Sequence, residues 1–299
     1  MPSLLPNRHI GDKTKIIYLH IPKTGGLSLS GLLDRTYRQT PHYKTHMGDV
    51  LTAQGWKDGL ANIQKMSDEK RENYGLLKGH MYFGLHELFT TPCKYLTFLR
   101  DPVSRCISHY QMLCRERIIE AGHEIDLSKP DWNLKPAFHR TLDNYQTRLL
   151  AGADPDLPFG HCNEDHLKMA VANLERHFVF VGLTEQFDFS LMLMRRTCDW
   201  RWRFYIPINV GPKESVQVKP DVVSALQDLN QFDRAIYNYA QERMRKTAGY
   251  FGWSLRIEHQ LFIRGNELHR RYTGWRRGLK KKLGLKCPAR TGEAIQTLA

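Results

Sequence analysis

The chain has 299 residues, 41% of them hydrophobic, and a formal charge of +13. That composition excludes bulk disorder and suits one large domain or two small ones. The charge suits an anionic partner, such as a phosphorylated small molecule, an acidic glycan, anionic lipid or nucleic acid.

The first residues, MPSLLPNRHIGDKTK, are too polar for a signal peptide or anchor. No window reaches the roughly 20 apolar residues of a membrane helix. These features predict a cytoplasmic protein, membrane-associated at most, and a Golgi lumenal one only if an anchor had been removed. The cysteines (Cys93, Cys106, Cys114, Cys162, Cys198, Cys287) are scattered without CxxC spacing. They suggest neither a zinc site nor a disulfide framework.

Residues 15–20, KIIYLH, read as a short buried strand, and 27–38 as a helix with Leu29, Leu32 and Leu33 on one face. Strands follow at 74–80, 94–100 and 177–187. A helix opens behind 100 and another covers 190–200. Residues 122–165 read as an insertion, rich in Pro, Asp and His, around a helix near 137–152, and 221–247 read as helical. Strands alternating with helices predict an α/β fold: a three-layer α/β/α sandwich with a central parallel sheet, like the P-loop NTPases. One domain is expected over 1–258, followed by a basic, helical tail over 259–299. Trp275, Leu279 and Leu283 recur every four residues there, so the tail reads either as a solvated helix or as a peripheral membrane contact.

The polar motifs fall at strand ends, where such sheets bind ligands. In HIPKTGGLS a strand passes through Gly25 and Gly26 into a helix, which exposes a row of backbone N–H groups to an anion. Thr24 and Ser28 add hydroxyls and Lys23 a positive charge. The order differs from G-x-x-x-x-G-K-[ST], because the lysine precedes the glycines. In RDPVSRCISHY, Arg100 closes a strand and Ser104, Arg105 and Ser108 lie on the next helix, so an arginine and a serine can reach one phosphate.

Together these stretches resemble the sulfotransferases that use 3′-phosphoadenosine-5′-phosphosulfate (PAPS), in particular the heparan sulfate and uronyl 2-O-sulfotransferase group and its bacterial relatives. LLKGHMYFGLHEL and FVFVGLTEQFDFSLMLM add to the resemblance, which runs unevenly from Lys15 to Arg256. It implies that Lys23, Thr24, Gly25, Gly26, Leu27 and Ser28 cradle the phosphosulfate and that Arg100 and Ser108 hold the 3′-phosphate. Lys23 would neutralise the leaving oxygen, which needs no metal. Lys213 falls where relatives have a basic loop over the nucleotide. His80 is implied as the base that takes the acceptor's proton. Relatives resemble H-G-H at that point, whereas this chain has Lys78-Gly79-His80. His20, His86 and His109 are rival histidines. Arg148 is a candidate for the acceptor site, or else part of a helix-surface ion pair.

The resulting expectation is transfer of a sulfuryl group to a hydroxyl, on a glycan or glycolipid. The alternatives are a nucleotide-dependent kinase and a non-enzymatic binder of acidic glycan or lipid. No nucleic-acid module is visible.

Overall fold

The computed structural model describes residues 14–44, 53–115, 140–200, 204–205 and 218–282. Five strands form one parallel sheet: β1 (Lys15–Leu19), β2 (His42–Lys44), β3 (Leu76–Gly79), β4 (Cys93–Leu99) and β5 (Phe178–Leu183), in the order β2-β3-β1-β4-β5. The strand expectations hold to within a few residues. β2 was not anticipated. It is a three-residue edge strand, and His42 and Lys44 are exposed on it.

Every residue of β1 is buried, as are Tyr95 to Leu99 of β4, so helices cover both faces of the sheet. That is why these strands read as unbroken apolar runs. Lys15 fits within the run because its ammonium donates to the Tyr74 carbonyl at 3.0 Å and pairs with Glu72 at 3.2 Å. The chain passes from β3 to β4 on the far side of β1, so the winding direction reverses there. The crevice at the carboxyl end of β1 is therefore where this architecture takes ligands.

Helix α1 (Gly26–Thr36) follows β1 directly and buries Leu29, Leu32 and Leu33, the face expected from its spacing. Two helices that the sequence had not suggested, α2 (Ala53–Gln64) and α3 (Asp68–Glu72), lead into β3. Helix α4 (Pro102–Arg115) follows β4. It starts where the Asp101 carboxylate accepts from the Ser104 N–H at 2.9 Å, with proline as its first residue. Within the expected insertion, residues 145–151 form α5 (Tyr145–Ala151). It is followed by α6 (Glu164–His177), whose start is fixed by a capping box between Asn163 and His166. Helix α7 (Phe187–Cys198) follows β5.

The helix expected over 221–247 is two helices, α8 (Pro220–Leu229) and α9 (Gln231–Lys282). Asn230 interrupts them because its side chain is committed elsewhere. Its amide donates to the Leu142 carbonyl at 2.7 Å and its oxygen accepts from the Asn144 N–H at 3.1 Å. Helix α9 runs from the expected domain through residue 258 into the expected tail, with a kink at Gly252, which has φ 63°. Lys213 and Leu283 lie outside the described residues.

Candidate active site

The turn after β1 is built from left-handed backbone. Lys23 has φ 72° and Gly25 φ 78°, so the chain reverses within three residues and presents the first turn of α1 at the sheet edge. A non-glycine residue held there carries a strain cost of order 1–3 kcal/mol, which the surrounding contacts must hold in place. Glycine is required twice. A Cβ at Gly25 would sit 3.0 Å from the Phe187 ring, and one at Gly26 would sit 1.7 Å from His20 Nε2. Helix α1 has no side-chain cap among the described residues and no acidic residue in its first turn. Its N-terminal partial positive charge is left for an anion.

The hydroxyls divide. Thr24 is buried and its hydroxyl donates inward to the Ile21 carbonyl at 2.8 Å, bracing the turn. Ser28 sits within the first turn of α1 and is largely buried, whereas Leu27 is exposed and offers backbone only.

Arg100 joins the two predicted motifs. Its guanidinium donates to the Lys23 carbonyl at 3.1 Å, so the strand-end arginine lies against the strained turn. Its backbone is held at both ends by Gln146: the Arg100 N–H donates to Oε1 at 3.0 Å and Nε2 donates to the Arg100 carbonyl at 2.9 Å. Asp101 does not pair with Arg100. It caps α4 and binds Arg234 at 2.6 Å. Ser104 and Ser108 share one partly exposed face of α4, while Arg105 and His109, about 100° further round the helix, are buried. Arg105 donates to the Thr141 carbonyl and lies over the Tyr145 ring.

Gln146 is in turn held by reciprocal helix capping. The Asp233 carboxylate accepts from the Gln146 N–H at 3.1 Å and the Thr147 N–H at 2.7 Å, capping α5. The Asn144 side-chain oxygen accepts from the Phe232 and Asp233 N–H groups at 2.9 and 3.1 Å, capping α9. Two helices distant in sequence thus fix each other's starts and, through Gln146, the position of Arg100. Gln146, Asp233 and Asn144 carry no motif, and their partners are remote in sequence, so local pattern could not identify them.

His80 follows β3, and its Nδ1 lies 2.7 Å from the His20 carbonyl oxygen. A carbonyl only accepts, so Nδ1 carries the hydrogen and Nε2 keeps its lone pair. The two rings stack with centroids 4.2 Å apart. Burial lowers the His80 pKa below the ordinary histidine range, partly countered by the bond to the His20 carbonyl and reinforced by Lys44. The ring is neutral near pH 7. His20 is pushed down further by burial and by the charges of His80, Lys44, Lys78 and Lys23.

The other candidates have these surroundings. His109 is buried, with its pKa pushed down to about 3 by burial and by Arg105, Lys23 and His80. His86 bonds the Tyr95 hydroxyl through its backbone N–H at 2.9 Å and lies among Phe83, Tyr95 and His177. Lys78, where relatives have a histidine, sends its ammonium to Ser30 Oγ at 2.8 Å and to Asp34, tying β3 to α1. Arg148 is neither a surface ion pair nor open to an acceptor. It is buried, pairs with Asp143, and donates to the Leu157 and Pro158 carbonyls at 2.8 and 2.7 Å.

Residues 8–151 match the model of the sulfotransferase family, Sulfotransfer_2. Heparan-sulfate 6-O-sulfotransferase 2 of Danio rerio is 26% identical over 78% of this chain and 58% of its own length. Human heparan-sulfate 6-O-sulfotransferase 1 is 24% identical over 79% of this chain and 66% of its own. The chain resembles the sulfotransferase family over just under half of its length. It spans about three fifths to two thirds of the length of these relatives. A solved sulfotransferase from Alicyclobacillus acidocaldarius superposes with a TM-score of 0.43 at 16% identity, over 75% of this chain and 94% of that one. The motifs resemble the 2-O group, whereas these curated relatives are 6-O enzymes, so neither fixes an acceptor position.

Proposed function

We propose that this chain is a sulfotransferase that transfers a sulfuryl group from PAPS to a hydroxyl of a carbohydrate acceptor. The observation that carries the proposal is the contact of Arg100 with the Lys23 carbonyl, which makes one anion site of two motifs 77 residues apart. A donor carrying both a 5′-phosphosulfate and a 3′-phosphate needs two such anchors on one crevice. The residues fit that demand: glycines at 25 and 26 admit close approach, α1 is uncapped, and Lys23, Arg100 and Ser108 supply charge and hydroxyl.

His80 Nε2 takes the proton of the attacking hydroxyl, a role for which its neutral ring and fixed tautomer equip it. General-base help of this kind contributes roughly 10²–10⁴-fold. Lys23 neutralises charge that grows on the departing bridging oxygen, an effect on the order of 10²–10³-fold when a single such donor is removed. Gln146 acts through Arg100 as a positioning residue. The acceptor class rests on the relatives, whose names specify heparan sulfate.

The test has two stages. Calorimetry should show adenosine 3′,5′-bisphosphate binding to the parent, and Arg100→Ala should weaken it at least tenfold. Labelled PAPS with a panel of glycans and glycolipids should then give a labelled product, lost in Lys23→Ala and His80→Ala. A parent chain that binds no bisphosphate would refute the proposal.

A further inference from the structure

Beyond Gly252, α9 has two apolar faces. The inner one seats the helix on the body. Leu255 and Phe262 are buried, the Asn266 side chain accepts from the Tyr205 N–H at 3.1 Å, and Glu258 bonds Arg195 at 3.1 Å and Arg196. The outer face is made of Trp253, Ile257, Leu261, Leu268, Tyr272 and Trp275. Four of these are among the most exposed apolar side chains described: Trp253 76%, Leu261 62%, Leu268 67% and Trp275 63%.

At about 100° per residue these six fall within an arc of roughly 100°, nearly opposite the inner face. Isolated exposed apolar residues need no explanation, but six aromatic and branched side chains gathered on one face, interrupted there by Arg264, do. The spacing is eleven residues, as from Ile257 to Leu268 and from Leu261 to Tyr272. That period keeps a stripe on one side of a nearly straight helix. A heptad seam drawn through Ile257 and Leu261 would instead place Arg264 and Arg271 at its core positions.

Charge decides what covers the stripe. Residues 253–282 hold nine Lys or Arg against two Glu. Glu258 is turned to Arg195 and Arg196, and Glu267 is paired with Arg271. A second copy would bring like charge against like, whereas an anionic bilayer offers both the opposite charge and an apolar layer for the tryptophans. Among the described residues no helix is long and apolar enough to cross a membrane. We infer that the outer face of α9 lies in the plane of an anionic lipid surface, with Trp253, Leu261 and Trp275 inserted below the headgroups and the exposed arginines, such as Arg264, at their level. The rigid inner seating would hold the rest of the protein in one orientation to that surface.

The full chain is sedimented with vesicles of phosphatidylcholine and phosphatidylglycerol, roughly three to one, and with vesicles of phosphatidylcholine alone. Binding should be at least about tenfold tighter to the anionic vesicles and should weaken with salt. The combined variant Trp253→Glu, Leu261→Glu, Trp275→Glu alters only exposed side chains. It should lose at least about tenfold in vesicle binding while keeping the parent circular dichroism and affinity for adenosine 3′,5′-bisphosphate. Three results overturn the inference. One is no binding to anionic vesicles. Another is vesicle binding unchanged in the variant. The third is light scattering that shows a parent dimer which the variant dissociates, giving the face to a second copy.

Discussion

Gly26→Ala and Gly31→Ala each add one methyl group to α1, and helix propensity alone favours both by about 1 kcal/mol. Their surroundings differ sharply. A Cβ at Gly31 meets nothing among the described residues within 4 Å, but one at Gly26 lies 1.7 Å from His20 Nε2 and 2.0 Å from its Cδ2. Relieving that contact needs a shift of about 1.5–2 Å to reach ordinary van der Waals separation. The ring has little room to move, because Tyr18 and His80 stack near it at centroid distances of 5.3 and 4.2 Å. Either α1 lifts from the sheet or His20 leaves the stack, and overpacking of this sort costs roughly 1–3 kcal/mol. Gly31→Ala should therefore stabilise by about 0.5–1 kcal/mol and Gly26→Ala should destabilise by about 1–3, a gap of roughly 1.5–4 kcal/mol. Scanning calorimetry of both variants beside the parent reads that gap as a separation of at least about 3 °C. Affinity for adenosine 3′,5′-bisphosphate should fall in Gly26→Ala alone. If Gly26→Ala melts at or above the parent, the His20 ring does not lie beneath α1 and the arrangement of the crevice is refuted.

The remaining predictions concern protons and caps. His80→Asn should lower kcat by roughly 10²–10⁴-fold, whereas His20→Asn, which leaves the carbonyl clamp on His80 intact, should cost less than about tenfold; equal losses would remove the distinction between base and neighbour. Because the His80 pKa is lowered and the base must be neutral, the acid limb of kcat/KM should lie below the ordinary histidine value of about 6.5, and a limb at or above that value contradicts the assignment. The buried histidines also set the acid stability. His20, His80 and His109 all have lowered pKa values in the fold, so their contribution is complete above about 6.5 and drains as pH falls through the range down to about 3, where His109 titrates. Each such histidine removes up to about 1.4 kcal/mol per pH unit in that window, and urea midpoints that stay flat from neutral to acid pH would disprove it. Asp233→Ala leaves two buried N–H groups without a partner and should cost about 2–4 kcal/mol; it should also weaken bisphosphate binding through Gln146, and a loss of stability with unchanged binding would sever that connection.

What the sequence made legible follows from how far each feature's cause lies along the chain. β1, β3, β4 and β5 stand out because strands buried on both faces must be apolar throughout, and α1 because Leu29, Leu32 and Leu33 share a turn. β2 has no such signature: a three-residue edge strand with two exposed polar side chains looks like a loop. The break at Asn230 is hidden for another reason. Helical periodicity continues on both sides of it, and the partners that break it, Leu142 and Asn144, lie 88 and 86 residues away. The site divides in the same way. Lys23, Gly25, Gly26 and Arg100 are marked by residue type at strand ends. Gln146, which places Arg100, has no local mark. Thr24 and Arg148 show the converse, since their types suggested contact with ligand but burial gives both side chains partners within the protein.

The histidines show why residue type alone misassigns the chemistry. The sequence has lysine where relatives place the first histidine of H-G-H, which suggests that one imidazole is missing. In the fold Lys78 serves α1, and a second imidazole reaches His80 from β1 instead. What His20 gives His80 is chiefly its backbone carbonyl, which pins the hydrogen on Nδ1, together with a ring that excludes water. These effects oppose each other. Exclusion of water lowers the basicity of His80 and keeps it neutral, while the carbonyl bond restores part of that basicity by stabilising the protonated ring. A base held below the ordinary histidine pKa, with its free lone pair on the nitrogen away from the clamp, is neutral and ready to accept a proton from a hydroxyl. The same carbonyl would do this from any residue at position 20. The histidine ring there answers to a different requirement: it must be flat enough to lie beneath Gly26 and beside His80 at once.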